Sequence, residues 1–116
     1  MWLDSFTGKV AFVAIDDNGA LTGFVDCKLQ TGLIDRLFVA AHRQGEDIGA
    51  ALLAQAEAAI ERSVSTFTVY ASLTARTFFE QSGYTVVTPN RVTRTYTHEG
   101  RSHTIVLLNF KMQKSR

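Results

Sequence analysis

A mixed, mostly antiparallel sheet of about six strands with two helices, an α/β (α+β) arrangement, is the fold class this sequence predicts. Three observations carry that expectation. Apolar, β-rich runs separated by turn clusters fill residues 10–40. The hydrophobic period then becomes helical, with Ile48, Leu52, Ala56 and Ile60 recurring every fourth residue. A further strand, a short helical segment and a terminal hairpin complete the alternation.

The elements follow in order. Val10 to Ile15 is an apolar run ending at Asp16-Asp17-Asn18-Gly19, whose Asn-Gly pair favours a tight hairpin. Leu21 to Leu29 is the return strand, and Thr31-Gly32 breaks it. Leu33 to Ala40 is largely apolar, as a strand buried on both faces should be. An amphipathic helix runs from about Asp47 to Ser63, with Ala51, Leu53 and Ala59 widening its stripe and Glu57, Glu61 and Arg62 outside it. Thr66 to Ala71 is the next strand. Ser72 is a candidate N-cap for a short helix whose apolar face is Ala75, Phe78 and Phe79, and Gly83 ends that helix. Tyr84 to Thr88 begins a strand that the single proline, Pro89, interrupts. Val92 to Thr97 and His103 to Met112 form a hairpin around Glu99-Gly100. Trp2 and Phe6 read as packing residues.

Composition bounds the function classes. The 116 residues, 46% apolar, are expected to form one domain, residues 1–116, with a single thin core. Twelve basic against eleven acidic residues leave a formal charge of +1, so no global field draws the chain to nucleic acid or to a membrane. The charge-free run Val64 to Ala75 is too short to span a bilayer, and Met1-Trp2-Leu3-Asp4 does not read as a signal peptide. One cysteine, Cys27, allows no intrachain disulfide and points to a reducing, cytoplasmic setting; on a strand it reads as core. His42, His98 and His103 have no metal-ligand spacing, so no metal is expected. Charge is unevenly spread: residues 89–116 hold six basic groups and one acidic, while residues 1–88 hold six basic and ten acidic. That basic end reads chiefly as a solvated hairpin face.

The junction from Val39 to Ala51 is the most informative stretch. A buried strand runs into Gln44-Gly45-Glu46-Asp47-Ile48-Gly49-Ala50, where a helix opens. A helix start exposes unpaired N–H groups at the positive end of its dipole, and glycines let a ligand approach the backbone. These properties suit a phosphate or pyrophosphate, while a sharp strand-to-helix turn needs the same residues without any ligand.

Leu37-Phe38-Val39 followed by Gln44 to Leu53 resembles the acyl-coenzyme-A-binding motif of the GCN5-related N-acetyltransferase (GNAT) family, which reads Gln/Arg-x-x-Gly-x-Gly/Ala here. Ala71-Ser72-Leu73-Thr74-Ala75-Arg76-Thr77-Phe78-Phe79-Glu80-Gln81-Ser82-Gly83-Tyr84 is similar to the family's Ala-Ser-x-Asn-Ala-x-x-Phe-Tyr-Glu-x-x-Gly-Phe segment. Asn109 to Lys114 resembles its last strand. The resemblance covers roughly residues 10–114 and implies a GNAT-like sheet in which the fourth strand splays from the fifth. It implies acetyl-CoA as cosubstrate and a small amine or peptide amine as acceptor, attacking the thioester directly. Pantetheine would then contact the backbone of Phe38 and Val39. Pyrophosphate would meet Gln44, Gly45, Glu46, Asp47, Ile48, Gly49 and Ala50, and Thr74 would stand at the family's cofactor-contacting asparagine.

The departures fall on functional positions. Asp47 stands where the motif has glycine, and with Glu46 it places two carboxylates beside the expected pyrophosphate. Phe79 replaces the tyrosine often assigned as general acid; Tyr70, at the end of a strand, is the candidate replacement. Asp35 is the candidate base, its pKa open to upward tuning by burial and opposed by adjacent charges, and Asp26 is a weaker candidate. The usual first strand and first two helices of the family are expected to be lacking. Val10–Ile15 would then be an open apolar edge, covered in a homodimer or by another partner. The alternative to an enzyme is a catalytically degenerate relative serving as a binding or dimerisation module.

Overall fold

The computed structural model describes residues 2–4 and 8–116. It contains seven strands and two α-helices among the described residues: β1 (Trp2–Asp4), β2 (Lys9–Ile15), β3 (Leu21–Lys28), β4 (Leu33–Val39), α1 (Ile48–Ile60), β5 (Thr66–Ser72), α2 (Arg76–Gln81), β6 (Thr85–His98) and β7 (Arg101–Ser115). The chain divides into two compact units, Met1–Val69 with Lys114–Arg116, and Tyr70–Gln113.

In the first unit β1 to β4 form an antiparallel meander, and β5 joins β4 in parallel. The alternation of β2 and β3 places Val10 opposite Cys27 and Phe12 opposite Val25 on one face. Helix α1 lies over that face with Leu52, Leu53, Ala56 and Ile60 buried. Each fully buried Leu or Ile of this kind is worth roughly 1.5–3 kcal/mol over its exposed state. Gly23 sets the helix height: a Cβ there would stand 2.6 Å from the Phe38 carbonyl oxygen and 3.0 Å from Leu52 Cδ1. The missing side chain lets α1 seat directly over the end of β4. The chain terminus returns to this unit, where Arg116 N–H donates to the Ser65 carbonyl at 2.8 Å.

The opposite face of the meander carries a charged group on a buried base. Asp26 is 2% exposed. Its Oδ2 accepts from Arg36 Nε at 2.8 Å and lies 3.3 Å from Lys9 Nζ. Arg36 also stacks over the Phe24 ring, 5.7 Å from its centroid.

In the second unit α2 ends in a Schellman motif. Tyr84 N–H donates to the Phe79 carbonyl at 3.0 Å and Gly83 N–H to that of Glu80 at 3.1 Å. The Tyr84 and Phe79 rings meet edge to face at 5.5 Å, the hydrophobic contact that accompanies this cap. β6 and β7 form a long hairpin, closed by Glu99 (φ 53°) and Gly100 (φ 74°), two left-handed residues as a type I′ turn requires.

The predicted fold class is observed, with four local corrections. A three-residue β1 stands where no first strand was expected, and it pairs Trp2 with Phe12, Leu3 with Ala11 and Asp4 with Val10. Val10–Ile15 is therefore covered over its first half. The side chains of Trp2 and Phe6 lie outside the described residues. The β2–β3 connection is not a two-residue Asn-Gly turn. The Asp16 carboxylate accepts from Asn18 and Ala20 N–H at 2.9 and 3.0 Å and organises a longer loop. Ser72 is not the α2 N-cap, since the helix starts after Ala75; its hydroxyl accepts the Ala75 N–H at 3.2 Å one turn earlier. Pro89 does not interrupt β6: it sits opposite Phe110 just after a bulge at Val87, in a strand that pairs with β7 alone. An outer strand tolerates the missing donor.

Candidate active site: the β4–α1 junction

Strands β4 and β5 share two register pairs, Leu33 with Thr68 and Ile34 with Val69. Beyond them β4 continues to Val39 bonded to β3 alone, through Arg36–Asp26, Leu37–Val25, Phe38–Phe24 and Val39–Gly23. Among the described residues, no β4–β5 register pair follows Ile34. Phe38 is 47% exposed on this stretch and only Ile34 of β4 is buried, so β4 is not the strand buried on both faces that its apolar run suggested.

The chain then makes a single 3-10 turn, Ala41–Arg43, and a loop into α1. Two residues of that loop have positive φ, Gly45 at 87° and Asp47 at 62°. Asp47 thus keeps the left-handed backbone that glycine would adopt most readily, at a strain of order 1 kcal/mol. It occupies the N-cap position, and its carbonyl accepts the first helical bond from Ala51 at 3.1 Å, yet its carboxylate makes no cap hydrogen bond. Ile48, Gly49 and Ala50 therefore present first-turn N–H groups with no intrahelical acceptor. Gln44 Nε2 reaches back to the Val39 carbonyl at 3.4 Å.

The two loop carboxylates differ. Arg43 Nε holds Glu46 at 2.9 Å, and Arg43 Nη1 reaches Asp16 at 3.2 Å, tying the loop to the β2–β3 turn. Bonds to both carboxylates, Glu46 foremost, raise the Arg43 pKa. Glu46 is thereby compensated, while Asp47 has no ion-pair partner among the described residues. In the sequence the spacing of three between Arg43 and Glu46 is the available signal of that pair, and nothing local connects Lys9 to β4.

Asp35 lies on β4 one residue beyond the last β5 pair. Lys9 Nζ donates to its Oδ2 at 2.9 Å, and that bond, reinforced by the charges of Lys9, Lys28 and Arg36, lowers its pKa. The expected upward tuning by burial is overruled, because the side chain remains 39% exposed and an ammonium sits on it. Asp35 is ionised and paired. Asp26, the weaker candidate, is buried beneath Lys9 and Arg36, with Oδ1 left without a hydrogen-bond partner. Cys27 is fully buried, and burial pushes its thiol up to about 11, so it is a core residue.

One strand, loop and helix start thus carry Phe38, Val39 and Gln44 to Ala50 in succession, whereas the Asp35 side chain lies with Lys9 on the face opposite α1. Tyr70 and Thr74 belong to the second unit. Tyr70 is 52% exposed, and the Thr74 hydroxyl shares a 3.1 Å hydrogen bond with that of Ser72. Phe79 is buried against Phe78 and Tyr84 and carries no exchangeable proton.

A family model described as an acetyltransferase (GNAT) domain matches residues 3–99. This chain belongs to the GNAT family. Among solved structures it is similar to a GCN5-related N-acetyltransferase from Rhodopseudomonas palustris, with TM-score 0.71 and 30% identity over 94% of this chain and 62% of that one. It is also similar to nourseothricin acetyltransferase, with TM-score 0.74 and 22% identity over 93% and 65%. A PaiA N-acetyltransferase from Thermoplasma acidophilum in complex with coenzyme A shares the fold, with TM-score 0.63 and 18% identity over 93% and 60%. The chain therefore spans less than two-thirds of the length of these three proteins. No curated protein matches it.

Proposed function

We propose that this chain transfers an acetyl group from acetyl-CoA to a small amine or peptide amine by direct attack on the thioester. The observation that carries the reading is that β4 runs into a loop and helix start whose first-turn N–H groups have no intrahelical acceptor, with no β4–β5 register pair after Ile34 among the described residues. In that reading the pantetheine amides pair with the backbone of Phe38 and Val39 as an added strand would. The pyrophosphate rests on N–H groups from Gly45 to Ala50, where the helix dipole favours negative charge. Gly49 keeps the approach open, and Gln44 trades its Val39 contact for the ligand. The PaiA relative's complex with coenzyme A supports the choice of cosubstrate.

The protein's tasks are to hold the amine against the carbonyl, take its proton and protonate the departing thiolate. Asp35 serves as base once the acceptor ammonium takes the place of Lys9 on its carboxylate. Tyr70 is the assigned acid, with water as its substitute. Thr74 supplies a hydroxyl at the cofactor-contacting position. The buried Cys27 thiol suits a reducing, cytoplasmic setting.

A second reading, a scaffold that binds coenzyme A without turnover, is favoured by one observation: Lys9 already occupies Asp35. Isothermal titration with acetyl-CoA, followed by coenzyme A release with an amine panel, separates the two. Micromolar binding with turnover supports the enzyme. Binding without turnover supports the scaffold, and no binding at millimolar ligand removes both.

A further inference from the structure

The face of the first unit opposite α1 gathers Lys9, Asp26, Asp35 and Arg36 into one charged cluster. The β3–β4 register slips there: Asp26 pairs with Arg36 and Cys27 with Ile34, so Asp35 is the extra residue of a β-bulge. The bulge lets Asp35 and Arg36, neighbours on one strand, serve the same face. Lys9 reaches over from β2, its Nζ 2.9 Å from Asp35 Oδ2 and 3.3 Å from Asp26 Oδ2. Arg36 Nε donates to that same Asp26 oxygen at 2.8 Å, while Asp26 Oδ1 is buried without a hydrogen-bond partner. A primary amine is thus held between a buried carboxylate and a partly exposed one.

That amine stands on the candidate base, the position an acceptor amine needs. With pyrophosphate on Gly45 to Ala50 and pantetheine along Val39 and Phe38, the thioester end of acetyl-CoA points back along β4 towards Asp35. We propose that Lys9 is itself an acceptor and that the chain acetylates its own Lys9 Nζ, an inference that rests on the acetyl-CoA reading above. Asp35 takes one proton from the ammonium, and Nζ attacks the thioester carbonyl carbon. The C–N bond forms, the C–S bond breaks, and coenzyme A leaves as a thiolate that collects the second proton lost by the nitrogen. Nζ keeps one hydrogen as a neutral amide, and the proton on Asp35 passes to water. Holding the amine in place replaces a bimolecular encounter with an intramolecular one. The two carboxylates also hold the ammonium charged, Asp35 foremost, so the step is a slow, single event per chain. Arg36 remains on Asp26 afterwards, so the buried carboxylate keeps a counter-ion. Asp35 loses its ammonium and is opened to an external amine.

The test is intact-mass measurement and peptide mapping of the full chain incubated with acetyl-CoA, beside a titration with acetyl-CoA and an amine-panel assay on the same preparation. The expected result is one acetyl group on Lys9, gained about tenfold or more faster than on Lys28, Lys111 or Lys114, at a rate per chain unchanged by dilution. Lys9→Arg keeps the charge and should lose that product with an unchanged circular dichroism spectrum. Asp35→Asn should slow the reaction at Lys9 by about a hundredfold. Lys9 reacting no faster than the other three lysines, or equally fast in the urea-unfolded chain, overturns the proposal, since direct chemical acetylation then accounts for it. A rate per chain that rises with protein concentration overturns transfer within one chain, and an undiminished rate in Asp35→Asn overturns Asp35 as the proton acceptor. Acetyl-CoA binding with Lys9 unmodified sinks the proposal alone, while the amine panel judges the acetyltransferase reading separately. No binding at millimolar acetyl-CoA removes both.

Discussion

Strands β3 and β7 look alike as strings of residues and differ entirely in surroundings. Val25 and Cys27 of β3 are fully buried, between β2 and β4 and beneath α1, whereas Ile105 to Leu108 of β7 are each about half exposed. The first region has neighbours on both edges and a helix on one face. The β7 arm pairs with β6 along its length, and its apolar side chains are about half exposed on both faces. Apolar residues therefore mark a strand in both places, but only the neighbours decide how much of that apolar surface is buried.

The largest difference should appear on truncation. Ile60→Ala, at a fully buried position on α1, is expected to cost about 2–5 kcal/mol, whereas Leu107→Ala should stay within about 0.5 kcal/mol. Urea unfolding midpoints at matched slope measure both, and equal losses would break the contrast between core and arm. Next in size, Gly23→Ala drives a Cβ against the Phe38 carbonyl and should destabilise by about 1–3 kcal/mol. If pantetheine pairs with Phe38 and Val39, the same variant should also weaken acetyl-CoA binding in a titration. Unchanged affinity in a destabilised variant would remove those residues from the cofactor path.

A smaller effect is expected at Asp47. Asp47→Gly relieves the left-handed strain and withdraws an uncompensated charge. Stability should rise by up to about 1 kcal/mol, and acetyl-CoA affinity by roughly fivefold, as like charges at 4 Å repel by about 1 kcal/mol in water. Glu46→Gln should change affinity less, because Arg43 already compensates Glu46.

The smallest effect is the pH response of the Lys9–Asp35 pair. The folded pKa of Asp35 is lowered, so its contribution is present above the ordinary carboxylate value and is lost as pH falls through the folded one. Lys9 is raised, first by its bond to Asp35, so its share is present below its ordinary value of 10.5 and is lost as pH rises through the folded one. Melting curves of wild type and Asp35→Asn should therefore converge at acid pH and separate at neutral pH. Parallel curves would show that the pair contributes nothing.

Most of the site's backbone was legible in the chain. Phe38-Val39 and the Gln44–Ala50 segment stand where a strand must end and a helix must begin, and glycines at 45 and 49 announce a close approach. The helical period at Ile48, Leu52, Ala56 and Ile60 and the Gly83 cap were equally readable, because their causes lie within four residues of each other. Pro89 misled because its penalty depends on whether the strand has one neighbour or two. The Asn-Gly pair misled because the Asp16 carboxylate, two residues earlier, competes for the turn's N–H groups.

Local chemistry thus wrote the elements, the family motif and the αL-prone loop into the sequence itself. Tertiary structure alone decided which charges meet. Lys9 and Asp35 are 26 residues apart, Arg43 and Asp16 27 apart, and no local period connects either pair. Their contacts follow from strand register and helix height. Those were set by the burial of Val25, Cys27 and Ile60 and by the absence of a side chain at Gly23. Electrostatic tuning falls steeply with distance, so it could be read only once packing had brought the groups within a few ångströms.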